Sequence, residues 1–293
     1  MVYAHAPYYE NGTFVGEIYI IRAVRYLFSI VLTFVIVLTI LYAALAMVLL
    51  INNRSNRRVA EIYSRYIANV SHELKTPIAS IQATVEMLSD GLVSDEAEIS
   101  RCYGSIYRES RQLERTVLNI IKLSKIQDHQ IDFAKSRLDP AWIFAPLCQK
   151  YEERCADLDI DFICEIKEGE FAPVYTNADR IRELTEILLD NAIKFTDFGG
   201  QIRISACKSR SKSHLIFVIE DNGCGISKED MPHIFERFYH TQEGNPGGTG
   251  LGLSIAKEIC DGLNEQLWCE SKQVKDPNDE NHGSRFCFTL KIA

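Results

Sequence analysis

From Tyr26 to Ile51 the chain reads YLFSIVLTFVIVLTILYAALAMVLLI, 26 residues without a charge. As a helix rising 1.5 Å per residue, the run is about 39 Å long and crosses a hydrocarbon core of roughly 30 Å with room for tilt. A chain carrying it cannot fold as one soluble globule. A signal peptide is the competing reading, but the run far exceeds an h-region and no A-x-A-like cleavage site follows it. Arg22 and Arg25 precede the run, whereas Arg54, Arg57 and Arg58 follow it. The positive-inside rule therefore favours a single-pass protein of the cell membrane with its C-terminal part in the cytoplasm. The nine cysteines, Cys102 through Cys287, all lie after the run and include no CxxC pair. That usage points to a reducing compartment rather than to a disulfide framework or a metal site.

Residues 1–25 are too few to bury a core. Within them YYENGTFVGEIYIIRAV alternates apolar and polar positions around Asn11-Gly12, the pattern of a β-hairpin. The segment is expected to be an extracytoplasmic stub, the remnant of a sensor domain, with a short outer tail as the alternative. The formal net charge of −8 and pI near 5.5 exclude nucleic acid as an expected partner, because phosphate-backbone affinity needs clustered Lys and Arg.

After a linker at 52–62, apolar residues at Val59, Ile62, Tyr66, Val70, Leu74, Ile78, Ile81, Val85 and Leu88 recur at steps of three and four, the stripe of a packed helix. Gly91 is placed to end it. Ile99, Tyr103, Ile106, Leu113, Val117, Ile120, Ile121, Leu123 and Ile126 form a second stripe. Two antiparallel helices bury little alone, so dimerisation into a four-helix bundle completes them. This dimerisation unit is assigned to 63–135, and Pro140 marks the change to a second domain, 136–293.

There helices and strands mix. DRIRELTEILLDNAIKFT and LGLSIAKEICDG read as helices, and QIRISACKS, HLIFVIEDNG and RFCFTLKI as strands, predicting a two-layer α/β sandwich. KQVKDPNDENHG reads as a solvated loop. EDNGCGI at 220–226 puts two glycines just past a strand ending in Asp221, where backbone can approach a flat ligand. GGTGLGLSI at 247–255 runs into a helix N-terminus, a site suited to anions. Neither is a Walker loop, since no Gly-Lys-Ser/Thr follows, and neither opens a dinucleotide-binding unit.

Taken in order, HELKTP, DNAIKFT, DNGCGI, IFERFY and GGTGLGL resemble the sensor histidine kinases of two-component systems over roughly residues 60–293. The resemblance implies a phosphoacceptor hairpin followed by an ATP-binding domain of the gyrase and Hsp90 type. ATP and Mg2+ are the implied cofactors and an aspartate of a response regulator receiver domain the implied phosphoryl acceptor.

Residue by residue, His72 is the implied nucleophile: an imidazole near pKa ~6.5 offers a lone pair for in-line attack on a γ-phosphorus. Glu73 is positioned to orient the other ring proton. Thr76, one turn on, matches the Glu-x-x-Thr pattern that in the family implies phosphatase activity. Pro77 removes a helix hydrogen bond and should bend the helix. Asn191 matches the family's magnesium ligand, Lys194 is placed for phosphate charge and Phe195 for the adenine face. Asp221 would accept the adenine amino group, with Gly223 and Gly225 clearing space. Arg237 would neutralise the γ-phosphate, and Gly248, Thr249, Gly250 and Gly252 would form the lid.

Two departures stand out. Ile187 occupies the position, four before Asn191, where the family usually carries a second asparagine. Only 20 residues separate Ile51 from His72, too few for a HAMP module. The competing functions are a gyrase-type ATPase or protein serine kinase on the same nucleotide fold, which the His-Glu-x-x-Thr hairpin opposes, and a catalytically silent scaffold, which only Ile187 supports.

Overall fold

The computed structural model describes residues 9–10, 13–14, 16–127, 132–210, 212–240, 249–273 and 282–293. The chain divides into two units, Met1–Ala68 and Asn69–Ala293.

In the first unit β1 (Tyr9–Glu10) pairs antiparallel with β2 (Thr13–Phe14), Tyr9 opposite Phe14. Asn11 and Gly12, the expected turn, lie outside the described residues. The strand expected to continue through EIYIIRAV is helical instead, because α1 begins at Gly16 and runs to Ser89. Once the uncharged run is forced into a helix by its backbone polar groups, adding residues upstream costs little, since each brings a hydrogen bond without a new nucleus. Tyr26–Leu50 is long and apolar enough to cross a membrane and leaves its large side chains exposed. Residues 52–62, expected as a linker, are also helical within α1.

The second unit takes the last part of α1 and α2 (Glu96–Gln127), joined by a short turn in which the Leu92 N–H donates to the Met87 carbonyl at 3.1 Å. Pro77 sits inside α1 without interrupting it. Ile78, Val85, Tyr103, Val117, Leu118 and Ile121 of this hairpin remain exposed. Near the end of α2, by contrast, Leu123 and Ile126 are buried in the core of the α/β part, so packing continues across residue 135.

Beyond it β3 (Ser136–Leu138) pairs antiparallel with β5 (Val174–Thr176). Pro140 opens α3 (Pro140–Ala156), which Asp139 caps by accepting from the Ala141 N–H at 2.9 Å. Next come β4 (Asp161–Cys164), α4 (Ala178–Phe195), capped by Asn177, then β6 (Gln201–Lys208), β7 (His214–Asp221), α5 (Gly252–Gly262), β8 (Leu267–Lys272) and β9 (Gly283–Lys291).

Five strands form one sheet in the order β4-β6-β7-β9-β8, with β4 parallel to β6 and the remaining pairs antiparallel. Alternate residues of β7 (Leu215, Phe217, Ile219) and β9 (Phe286, Phe288, Leu290) join Phe144, Leu188 and Ile255 of the helices in a single core. Phe217 stacks between Phe144 and Phe288 with centroids 4.6 and 5.4 Å away. Helices over one face of a sheet make the two-layer α/β sandwich that the alternating strand patterns predict.

One cysteine expectation is corrected. Cys148 of α3 and Cys164 of β4 form a disulfide, their Cα atoms 6.1 Å apart. Packing of α3 on β4 brings them within disulfide reach. A separation of 16 residues carries no motif from which this could be read.

Candidate functional site

Asp221 ends β7 almost fully buried, at 5% exposure. Its Oδ1 accepts from the Gly223 N–H at 3.0 Å and the Ser284 N–H at 3.2 Å. Burial pushes its pKa up to about 6, against the pull of those two donors. The group is therefore mostly a carboxylate at pH 7, oriented by backbone and poised as an acceptor.

The loop after Asp221 is held against the end of α4. The Cys224 N–H donates to the Phe195 carbonyl at 3.3 Å, and a Cβ on Gly223 would lie 2.0 Å from that same oxygen. Gly225 has φ +72°, and a Cβ there would meet the Lys272 carbonyl oxygen at 2.2 Å. The room these glycines make is thus filled by protein backbone, and any clearance for a ligand comes on top of that. His282 contributes an Nδ1 contact to the Gly223 carbonyl at 2.8 Å, and since a carbonyl only accepts, Nδ1 carries the proton.

Asn191, Lys194 and Phe195 lie in the last turns of α4, all partly buried. Lys194 holds Nζ 5.0 Å from the Phe195 ring centroid, and burial lowers its pKa. Around Asn191 the other polar groups are committed: the Tyr151 hydroxyl donates to Asp190 at 2.8 Å, Arg154 pairs with Asp190, and Lys150 pairs with Glu186 at 2.6 Å. Ile187 packs into the core, its Cγ2 lying 3.4 Å from where a Cβ on Gly252 would stand. The residue in place of the second asparagine therefore seats the start of α5 against α4.

Arg237 precedes Phe238, a non-glycine residue at φ +61° whose N–H donates to the Gly250 carbonyl at 2.9 Å. The segment is also braced by Asp230, which accepts from the Tyr239 hydroxyl at 2.6 Å and from Ser227 at 2.7 Å. The Arg237 guanidinium donates to Glu258 of α5 at 2.5 Å. Gly252 opens α5, whose cap residue Leu251 makes no side-chain hydrogen bond to the first turn. Among the described residues no side chain of the cap position takes its first-turn N–H groups, an arrangement suited to an anion. Thr249 accepts from Asn119 of α2 at 3.3 Å. Gly248 lies outside the described residues.

These contacts form one connected set: the Asp221 loop to α4, α4 through Ile187 to the start of α5, and α5 and Gly250 to the Arg237 segment. All the expected nucleotide residues except Gly248 fall in it. His72 and Thr76 stand apart, exposed on α1, with Glu73 partly buried beside them. The Thr76 hydroxyl donates to the His72 carbonyl at 3.2 Å. Among the described residues no hydrogen bond joins Glu73 to His72, as expected for side chains one residue apart on a helix. None links His72 to the residues around Asp221. Sequence reasoning missed Ser284, His282 and Glu258: the first two follow a polar loop, and the third sits on a helix whose pattern explains it as surface.

The described residues contain no group of three His, Cys, Asp or Glu arranged to hold a metal. A cleft between α2 and α4 is lined by Lys122, Arg180, Arg182 and Glu183 among others, none of them an expected nucleotide residue.

Two family models match the chain, one over each of its last two parts. Residues 176–293 match the family described as histidine kinase-, DNA gyrase B- and HSP90-like ATPase. Residues 63–129 match the His Kinase A (phospho-acceptor) domain. The sensor histidine kinase WalK of Bacillus subtilis is 27% identical over 228 residues, 77% of this chain and 36% of its own length. The sensor protein SrrB of Staphylococcus aureus is 30% identical over 200 residues, 66% of this chain and 33% of its own. The chain thus spans about a third of the length of these curated relatives. Among solved structures, the histidine kinase AdeS of Acinetobacter baumannii shares the fold at TM-score 0.59 and 24% identity, over 75% of this chain and 98% of that one. The histidine kinase ThkA, crystallised with the response regulator protein TrrA, shares it at TM-score 0.63 and 20% identity, over 82% of this chain and 65% of that one.

Proposed function

Because this chain belongs to the sensor histidine kinases, we propose that it phosphorylates His72 from ATP and passes the phosphoryl group to an aspartate of a response regulator receiver domain. The observation that carries the reading is the buried, backbone-oriented Asp221 among the residues expected for a nucleotide, together with an exposed histidine on a separate helical hairpin. ATP would lie with its adenine amino group on the Asp221 carboxylate and its phosphates toward the first turn of α5, Lys194 and Arg237. The neutral His72 imidazole attacks the γ-phosphorus in line; the N–P bond forms as the bond to the β-γ bridging oxygen breaks, and ADP leaves. Exposure of His72 suits it to meet first a nucleotide and then a receiver domain.

Mg2+ would supply charge neutralisation on the β- and γ-phosphates. Asn191 of α4 would offer it a side-chain oxygen, and magnesium's reluctance to dehydrate suits it to a site with few protein donors. Glu186 is committed to Lys150. The exposed apolar face of the hairpin supports a homodimer. Thr76 supports regulator dephosphorylation, since its hydroxyl oxygen can still accept from a water while donating to His72 O. The segment Tyr26–Leu50 supports anchoring in the cell membrane. Arg54, Arg57 and Arg58 after it, and the need for ATP, support a cytoplasmic C-terminal part; the Cys148–Cys164 pair removes cysteine usage from that argument.

The test is His72→Gln. With γ-labelled ATP the wild type should gain acid-labile label, and the mutant none, while both bind nucleotide. Acid-labile label on the mutant would move the nucleophile elsewhere, and acid-stable label on the wild type would favour a serine kinase.

A further inference from the structure

The proposed role of Arg237 on the γ-phosphate leaves a question of where its guanidinium rests. It donates to Glu258 Oε1 at 2.5 Å, with the Arg237 side chain 26% and the Glu258 side chain 32% exposed. Glu258 is six residues into α5 from Gly252, about 9 Å down the axis. The lean of helix side chains toward the N-terminus returns at most about one turn of that distance. The guanidinium is therefore held along the flank of α5, below the first turn where N–H groups attract phosphate. The backbone beside it has little freedom to follow, because Phe238 is fixed to Gly250. Reaching a γ-phosphate therefore requires, among its contacts, that the arginine side chain let go of Glu258.

We infer that Glu258 is the resting partner of Arg237 and competes with the γ-phosphate for it, so that Glu258 sets how strongly the site prefers ATP over ADP. This rests on the nucleotide reading above. It makes Glu258 a positioning residue: it touches no reacting atom and acts only through Arg237. ADP, lacking the γ-phosphate, does not ask Arg237 to leave its partner, so the competition weakens ATP binding selectively.

The experiment titrates the full chain in detergent with ADP and with the β,γ-imido analogue of ATP. Glu258→Gln keeps the shape and a weaker hydrogen bond while removing the charge. It should tighten the ATP analogue by about two- to fivefold, the range of a partly exposed ion pair, and leave ADP within error. Arg237→Ala should lose the preference for the ATP analogue, and adding Glu258→Gln to it should change nothing further. An equal shift for both nucleotides would make Glu258 a structural residue, and selective weakening of the ATP analogue would make it an aid to Arg237; either overturns the inference. Wild-type protein that binds neither nucleotide would instead sink the ATP reading itself, and an Arg237→Ala variant with unaltered preference would sink the role of Arg237.

Discussion

Replacing Asp221 with asparagine should move ATP affinity and fold stability in opposite directions. Oδ1 of the side chain accepts two backbone N–H bonds, from Gly223 and Ser284, and an asparagine oxygen placed there can still accept both, though more weakly than a carboxylate does. What changes is the second position, where a carboxylate oxygen facing an adenine amino group becomes an NH2 donor. Losing a charge-assisted hydrogen bond costs roughly 1.5 to 3 kcal/mol, or about 10- to 150-fold in Kd. Stability runs the other way. The folded chain holds the Asp221 proton more tightly than the unfolded chain does, with a pKa raised from 3.8 to about 6. Its contribution is complete below pH 3.8 and lost as pH rises through about 6, leaving at pH 7 a buried charge that costs on the order of 3 kcal/mol. Asparagine carries no such charge, so Asp221→Asn should raise the melting temperature at pH 7, and the gap should close below about pH 4. Calorimetric titration with ATP and thermal melts across that range read both effects. Wild-type affinity should also fall as pH drops through about 6, and the mutant's should not. Unchanged ATP affinity in the mutant would remove Asp221 from the site, and a lowered melting temperature at pH 7 would refute the buried-charge argument.

The hairpin yields further expectations. Thr76→Ala should leave autophosphorylation intact while dephosphorylation of a phosphorylated receiver domain slows by roughly a hundredfold, in a discontinuous assay of both steps; equal loss of both would assign Thr76 to structure. Residues 52–293 should sediment as a dimer, and Val85→Glu on the exposed apolar face should shift them toward monomer. Leu123→Ala, fully buried although it belongs to α2, should cost about 2 to 5 kcal/mol of stability in denaturant unfolding, where an exposed hairpin leucine would cost little.

Much of this architecture was legible because burial imposes a period. Leu215, Phe217 and Ile219 fall at every second position of β7, the period of a strand that turns one face to the core, and Ile181, Leu184 and Leu188 keep helical steps. Asp221, Gly223 and Gly250 were legible as a pattern of residue types in order. Their partners were not. Ser284 donates a backbone N–H, which any residue but proline has, and His282 follows a polar loop whose residues 274–281 lie outside the described ones. The helix at Gly16 was misread because alternation over a few residues cannot show that a long apolar helix follows and extends back over them. The Cys148–Cys164 bond depends on how α3 packs on β4, which neither spacing nor composition encodes.

The position of β9 has a consequence for how the protein is made. It lies between β7 and β8 in the sheet, yet it is the last of the five strands in the chain, and it carries the Ser284 N–H that fixes Asp221. On a ribosome adding roughly 5 to 20 residues per second, the 63 residues from Asp221 to Ser284 take roughly 3 to 13 seconds. Throughout that interval β7 has β6 on one side and an unpaired edge on the other, with Leu215, Phe217 and Ile219 uncovered by their later neighbours. Such an edge is a template for pairing with another chain. The last strand made is thus the one that both covers this edge and orients Asp221, so the sheet and the site are completed in the same step.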